Sequence, residues 1–399
     1  MYNKHGCKVK EACTFLRFRL VFVLIVLILP VVFCANSTYA YEWYTEEFFP
    51  SGGGYGCNEI GVNADNEPTI AHIYYDDPTY YVAYNVGSGG SWNSEQIFSS
   101  SNIVNDISMY MDGETPYIVF KQNTGGYAGM LKYKDGVSWE TTTFNSGYMN
   151  NSTVIVDDSD KVHIAYRKND TSELRYACYD TVSTSWISVN EVIDSGSGMG
   201  QYVSIGVIGS DPVIAYYTGN TGTAELKYRT KSGSSWNDAE VVASAGDTDG
   251  QYCTLAIDSA DRPYIVYVST GVTGTGLSWA IKDGGSWDVQ TVVDVEPGFT
   301  DMVLVNDKPR IVYSSGGSKY IEYNGTTWST PEVTGARADP RLAYTTDGAV
   351  YITSIKYDGA PNEIMFTVGP TPEPSTIISL IFGIAALGVL RYKRKKCSK

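Results

Sequence analysis

Hydrophobic and polar positions alternate along most of this chain, in units that return. One unit opens with a short apolar strand and an Asp/Asn/Gly turn. It continues as Pro-x-Ile-x-aromatic, a polar loop, apolar-x-Tyr, a Gly/Ser turn, and a Trp that begins the last strand. Residues 202–242 show it: Tyr202 to Ile208, Pro212-Val213-Ile214-Ala215-Tyr216, Leu226-Lys227-Tyr228, then Ser234-Ser235-Trp236. A period of two puts alternate side chains on one sheet face, so each unit predicts four strands that pack against neighbours. The second-strand isoleucine recurs at Ile70, Ile118, Ile164, Ile214, Ile265, Ile311 and Ile352. The third-strand aromatic recurs at Tyr84, Tyr133, Tyr176, Tyr228, Trp279, Tyr323 and Phe366. The fourth-strand tryptophan recurs at Trp92, Trp139, Trp186, Trp236, Trp287 and Trp328.

No Trp follows Phe366, whereas Trp43 has no strands before it. The orphan fits the gap. These markers predict an all-β fold, a seven-bladed β-propeller closed by the N-terminal strand. The blades are expected near 55–97, 102–144, 151–193, 201–243, 251–293, 299–333 and 339–368, the last completed by 41–49. The recurrent Trp reads as a spacer filling the wedge between diverging sheets.

The two ends follow a different pattern. Lys4, Lys8, Lys10, Arg17 and Arg19 precede an apolar run from Leu20 to Phe33, and Thr38-Tyr39-Ala40 follows. That order describes a secretory signal over 1–40, cleaved after Ala40, with an uncleaved anchor as the competing reading. At the other end, Pro372-Glu373-Pro374 opens a tail whose residues 377–390 are apolar, followed by Arg391, Lys393, Arg394, Lys395 and Lys396. Fourteen or so apolar residues are short for a ~30 Å hydrocarbon core. The basic cluster should stay cytoplasmic and leave the preceding domain outside.

This tail resembles the PEP-CTERM sorting signal of Gram-negative bacteria, over residues 370–399. The resemblance implies processing by an exosortase, besides signal peptidase, after transient anchoring in the inner membrane. It implies delivery of residues 41–369 to the cell surface or extracellular matrix. An ordinary single-span anchor is the alternative, and it too exports the propeller.

Charge sharpens the picture. Without residues 1–40 and 374–399, 18 Lys/Arg remain against 43 Asp/Glu, a net of −25. That balance favours solubility and excludes a nucleic-acid partner, which wants a basic face. Only Cys57, Cys178 and Cys253 lie in the mature domain, so a large core must replace disulfide staples.

Asp135-Gly136-Val137-Ser138-Trp139 and Asp283-Gly284-Gly285-Ser286-Trp287 resemble a degenerate Asp-box, the turn of sialidase-like propellers. Asp-boxes are folding motifs rather than catalytic ones. Sialidase activity would need an arginine cluster on the substrate carboxylate. Of the mature arginines only Arg167 is aimed near the binding face, so no triad is expected. His72 stands where Tyr166, Tyr216 and Tyr267 supply core aromatics, and it reads as a core histidine. Asp247 and Asp249, in Asp247-Thr248-Asp249-Gly250, supply oxygen ligands of the kind calcium prefers, with a polar turn as the competing reading. No other cofactor is expected.

Loops after second strands and between blades gather on one end of a propeller. Their residues Tyr75, Asn123, Tyr127, Arg167, Asn169, Tyr217 and Asn220 suit sugar or peptide recognition, rings supplying rigid apolar area and amides orienting hydroxyls. The expected function is a non-catalytic surface protein binding polysaccharide or a protein partner. A secreted glycosidase or lyase on the same scaffold is the alternative.

Overall fold

Strands account for nearly every element because β-branched and aromatic residues alternate with polar ones over short runs. The computed structural model describes residues 43–48, 53–88, 90–219, 224–244, 250–269, 275–295, 297–357 and 362–370. The expected signal segment 1–40, Asn220, Asp247, Asp249, Pro372-Glu373-Pro374 and the apolar run 377–390 lie outside the described residues.

Seven antiparallel sheets follow one another along the chain, six of them built from strands in sequence order. Blade 1 is Gly53–Val62, Pro68–Asp76, Thr79–Ser88 and Ser91–Ser100, and blade 2 runs from Val104–Asp112 to Ser138–Ser146. Blade 3 runs from Met149–Val156 to Ser185–Ser195, and blade 4 from Gln201–Ile208 to an outer edge split into Ser235–Trp236 and Glu240–Ala243. Blade 5 runs from Gln251–Ile257 to Ser286–Val293, and blade 6 from Thr300–Val305 to Glu332–Val333. Blade 7 takes Ala338–Tyr344, Val350–Lys356 and Glu363–Val368 from the end of the chain and Tyr44–Phe48 from its beginning.

One register serves all seven. The residue after each motif isoleucine faces Tyr84, Leu131, Tyr176, Tyr228, Trp279, Tyr320 and Phe366 in turn. Three residues further on, Gly87, Lys134, Tyr179, Lys231, Lys282 and Tyr323 face the six fourth-strand tryptophans. Two expected third-strand markers are thereby corrected. In blade 2 the position belongs to Leu131, and Tyr133 stands two residues beyond it on the same face. In blade 6 it belongs to Tyr320, because the short strand Ser318–Glu322 ends before Tyr323.

The seven hydrophobic clusters are the seven blade–blade seams, each combining residues of two successive sheets. Trp92, Trp139, Trp236 and Trp287 meet the preceding blade's Phe366, Tyr84, Tyr176 and Tyr228 edge-on, with centroids 4.9–5.5 Å apart. Trp328 meets Trp279 at 5.4 Å, and Trp186 meets Phe144 at 5.8 Å. Lysines reinforce three seams: Lys134, Lys231 and Lys282 lie over the Trp of their own blade and pair with Glu95, Glu191 and Glu240 of the preceding one.

The closing seam repeats this plan with the N-terminal strand. Trp43 stacks edge-on against Tyr320 at 5.2 Å, and its Nε1 donates to Glu332 Oε2 at 3.0 Å. The last strand keeps close quarters at Gly369: a Cβ there would meet Val350 Cβ at 2.9 Å and the Trp43 ring at 3.1 Å. Only glycine leaves that room.

Candidate functional site

The inner strand of each blade has one backbone edge with no strand beyond it, so side chains of neighbouring blades satisfy its amides. The register aligns these strands on Ile60, Met109, Val154, Ile205, Leu255, Met302 and Leu342, each facing a motif isoleucine. One residue earlier stand Glu59, Ser108, Thr153, Ser204, Thr254, Asp301 and Arg341. Ser204 Oγ accepts the Leu255 amide at 3.0 Å, and Asp301 Oδ2 accepts the Leu342 amide at 2.8 Å. The same position thus stitches blades together with a hydroxyl in one place and a carboxylate in another.

Charge gathers where blades 6, 7 and 1 adjoin. Arg341 Nε lies 3.1 Å from Glu59 Oε1, and Asp301 acts on the same guanidinium. Burial pushes the Glu59 carboxyl up to about 7 despite Arg341, and burial raises Asp301 and Asp106 as well. Arg341 is a second arginine near the inner strands, engaged by Glu59. A first-strand register could not be read from composition.

Three residues before the aligned positions stand Cys57, Asp106, Asn151, Tyr202, Tyr252, Phe299 and Asp339. Asp106, Asn151, Tyr202, Tyr252 and Asp339 have φ between 50° and 60°, at bulges where the inner strand slips against its neighbour. Bulges re-aim side chains, and a left-handed tyrosine or aspartate is strained. This ring is divided. Blades 4, 5 and 6 present an aromatic arc, Tyr202 to Tyr252 at 4.4 Å and Tyr252 to Phe299 at 4.5 Å, all half-buried. Blades 7, 1 and 2 present Asp339, Cys57 and Asp106. Asp106 Oδ2 accepts the Ser152 amide and hydroxyl, and Asp339 accepts the Tyr357 hydroxyl at 2.5 Å.

The ring lies toward the end of the propeller where second strands finish and inter-blade segments arrive, joined by bonds such as Asn123 N to Ile103 O and Asn169 N to Tyr148 O, both 2.8 Å. Of the residues expected at this face, Tyr127, Arg167 and Asn169 come together around Tyr148. Tyr127 meets Tyr148 edge-on at 4.4 Å, and Lys121 Nζ, in a residue 2 % exposed, sits 4.4 Å from the Tyr148 centroid. Arg167 pairs across the strands with Asn150, whose Oδ1 takes the Lys121 ammonium at 2.5 Å. Tyr217 is buried behind the arc, 6.0 Å from Tyr202. Tyr75 stands apart on blade 1, packed at a tilt against Tyr80 and bonded to Asp77, and Asn123 Oδ1 is taken up by the Gly125 amide. The sequence reading missed Tyr202, Tyr252, Phe299 and Tyr148.

Two clefts open on the opposite face, one around Tyr228, Arg262 and Lys282 and one around His163, Tyr176 and Lys231. Both are the groove beside a Lys-over-Trp seam, which explains their likeness. His163 Nδ1 is 2.6 Å from the Tyr176 hydroxyl, and burial holds the imidazole below its ordinary pKa. The turns on this face are locked by their own side chains: Asp157 Oδ1 accepts the Ser159 and Lys161 amides, and Asp258 Oδ1 those of Ala260 and Arg262.

No family model and no curated protein matches the chain. Among solved structures, the polysaccharide lyase Uly1 aligns with a TM-score of 0.52 at 11% identity, covering 83% of this chain and 92% of its own. The WD40 repeats of RRP9 align with a TM-score of 0.52 at 9% identity, covering 82% and 97%. A Hadza microbial sialidase aligns with a TM-score of 0.45 at 10% identity, covering 66% and 63%. At these identities the likeness is one of fold.

Proposed function

We propose that this chain is an exported surface or matrix protein whose propeller binds a polysaccharide across the mouth of its loop face without cleaving it. The carrying observation is the Tyr202–Tyr252–Phe299 arc facing Asp339 and Asp106. Accessible rings in a row offer stacking platforms for sugar rings, and carboxylates across from them accept hydroxyls. The Pro-Glu-Pro tail supports export and exosortase processing, and a polysaccharide lyase among the fold neighbours suits a carbohydrate ligand. A hydrolase on this scaffold would need one carboxyl as acid and a second free to activate water. Asp301 holds two backbone amides and Glu59 is engaged by Arg341, so neither of these buried carboxyls is free for that task.

A glycan array on residues 41–369, with each well checked for released products, tests this reading. Binding without products is expected, and Tyr252→Ala should weaken it roughly tenfold, the worth of one good aromatic contact, at unchanged melting temperature. Accumulating products, or an array on which nothing binds, would overturn it.

A further inference from the structure

In a domain with 43 acidic and 18 basic residues, a cation without a counter-charge is conspicuous. The partly buried arginines Arg175, Arg262, Arg310 and Arg341 each pair with a carboxylate, and Arg229 donates to the Asn237 and Ile193 carbonyls. Among the described residues Arg167 shows neither a carboxylate partner nor a carbonyl acceptor. It is half-buried, no carboxylate of the described residues lies within ion-pair reach, and its Nε is buried with no acceptor. The ionisable neighbour acting on it is the Tyr148 phenol.

Its surroundings are built to the same end. Lys121 Nζ lies 4.4 Å from the centroid of the same Tyr148 ring, so a second cation stands in this neighbourhood. Asn169 donates its backbone amide to Tyr148 O, while its Oδ1 is buried with no donor among the described residues. Asn150, across the strands from Arg167, leads directly into Asn151, the ring position between Asp106 and Tyr202. The basic set therefore borders the aromatic arc at blade 3, with Asp106 acting on Lys121 from the blade 2 side.

We infer that Arg167, Tyr148 and Asn169 form a subsite for a carboxylate-bearing sugar residue, so that the polysaccharide bound at the mouth is an acidic one. This rests on the binding reading above and names the ligand's class. A planar guanidinium fork matches a carboxylate bidentately, Tyr148 supplies a face for the sugar ring, and Asn169 Oδ1 takes a hydroxyl. Asp339 at blade 7 disfavours an acidic group on that side of the ring, whereas Asp106 adjoins the subsite and is offset by Lys121.

The test measures binding of the propeller to a galacturonate oligomer, to its methyl ester, and to sialyllactose beside lactose, so that the uronate and sialate sources of the carboxylate are separated. The wild type should prefer at least one acid over its neutral counterpart by about tenfold or more, with the preference shrinking as salt rises. Arg167→Gln should erase the preference, acid binding falling to the level of the neutral counterpart. Arg167→Lys should recover part of it, since charge returns without the fork. Because Arg167 makes no ion pair, neither variant should lower the melting temperature. Neutral oligomers binding as well as acids, or a preference surviving Arg167→Gln, would overturn the carboxylate subsite and leave the polysaccharide reading standing. Failure of every oligomer to bind would overturn both.

Discussion

Glu59 holds its proton more tightly folded than unfolded, since burial lifts its carboxyl from 4.5 to about 7 against the pull of Arg341. A raised folded-state pKa contributes stability that is fully present below about 4.5 and lost as pH rises through about 7. Asp106 and Asp301, raised by the same cause, act in the same direction. Asp157 is lowered, mainly by the amides it accepts against its own burial, and contributes stability that is lost as pH falls through its folded value. The melting temperature should therefore fall between about pH 5 and pH 8, and Glu59→Gln should flatten that slope. Identical slopes in both proteins would show that Glu59 ionises freely. Single residues were partly legible beforehand. His72 reads as a core histidine because it replaces a core tyrosine, and it is fully buried, with Nδ1 3.0 Å from Asn85 Nδ2 and its pKa pushed down to about 3. Glu59 was not legible, because nothing local distinguishes it from other acidic residues of a very acidic chain.

Strands that close the ring do more than their length suggests. Tyr44–Phe48 pairs with Glu363–Val368 from Tyr44–Val368 to Phe48–Ile364, and Lys356 reaches Glu47 at 3.1 Å. Removing residues 41–49 should leave the edge of Glu363–Val368 unpaired, empty the Trp43 site against Tyr320, and promote aggregation. A peptide covering the same residues should restore solubility, and a deletion variant that stays monomeric and melts like the wild type would refute this role. Closure was legible because a Trp without strands and strands without a Trp leave one arrangement. The misplaced aromatics have a physical reason too. Tyr133 shares a face with Leu131, so alternation cannot rank them, and Ile321-Glu322-Tyr323 fits the apolar-x-Tyr pattern although the strand ends at Glu322.

Seven blades of one register turn a linear repeat into rings, and the candidate site belongs to a ring rather than to any segment. Tyr202, Tyr252 and Phe299 lie about a blade apart in sequence and become neighbours through equivalent inner-strand positions. Their counterparts are Cys57, Asp106, Asn151 and Asp339, so the position shows no residue preference to follow. An offset of three residues before the inner-strand partner of each motif isoleucine would have found them, but that partner is identifiable only once strand pairing is known. Loop residues were easier to propose, and Tyr127, Arg167 and Asn169 do converge, while Tyr75 does not join them. Hydrogen exchange with and without the best oligosaccharide from the array tests the whole account most directly. Protection is expected at 148–151, 201–204, 251–254 and 299–301, on the inner strands of blades 3 to 6, with no change at the opposite-face turns 157–161 and 258–262. Protection confined to those turns would contradict the account and move the ligand to the other face of the propeller.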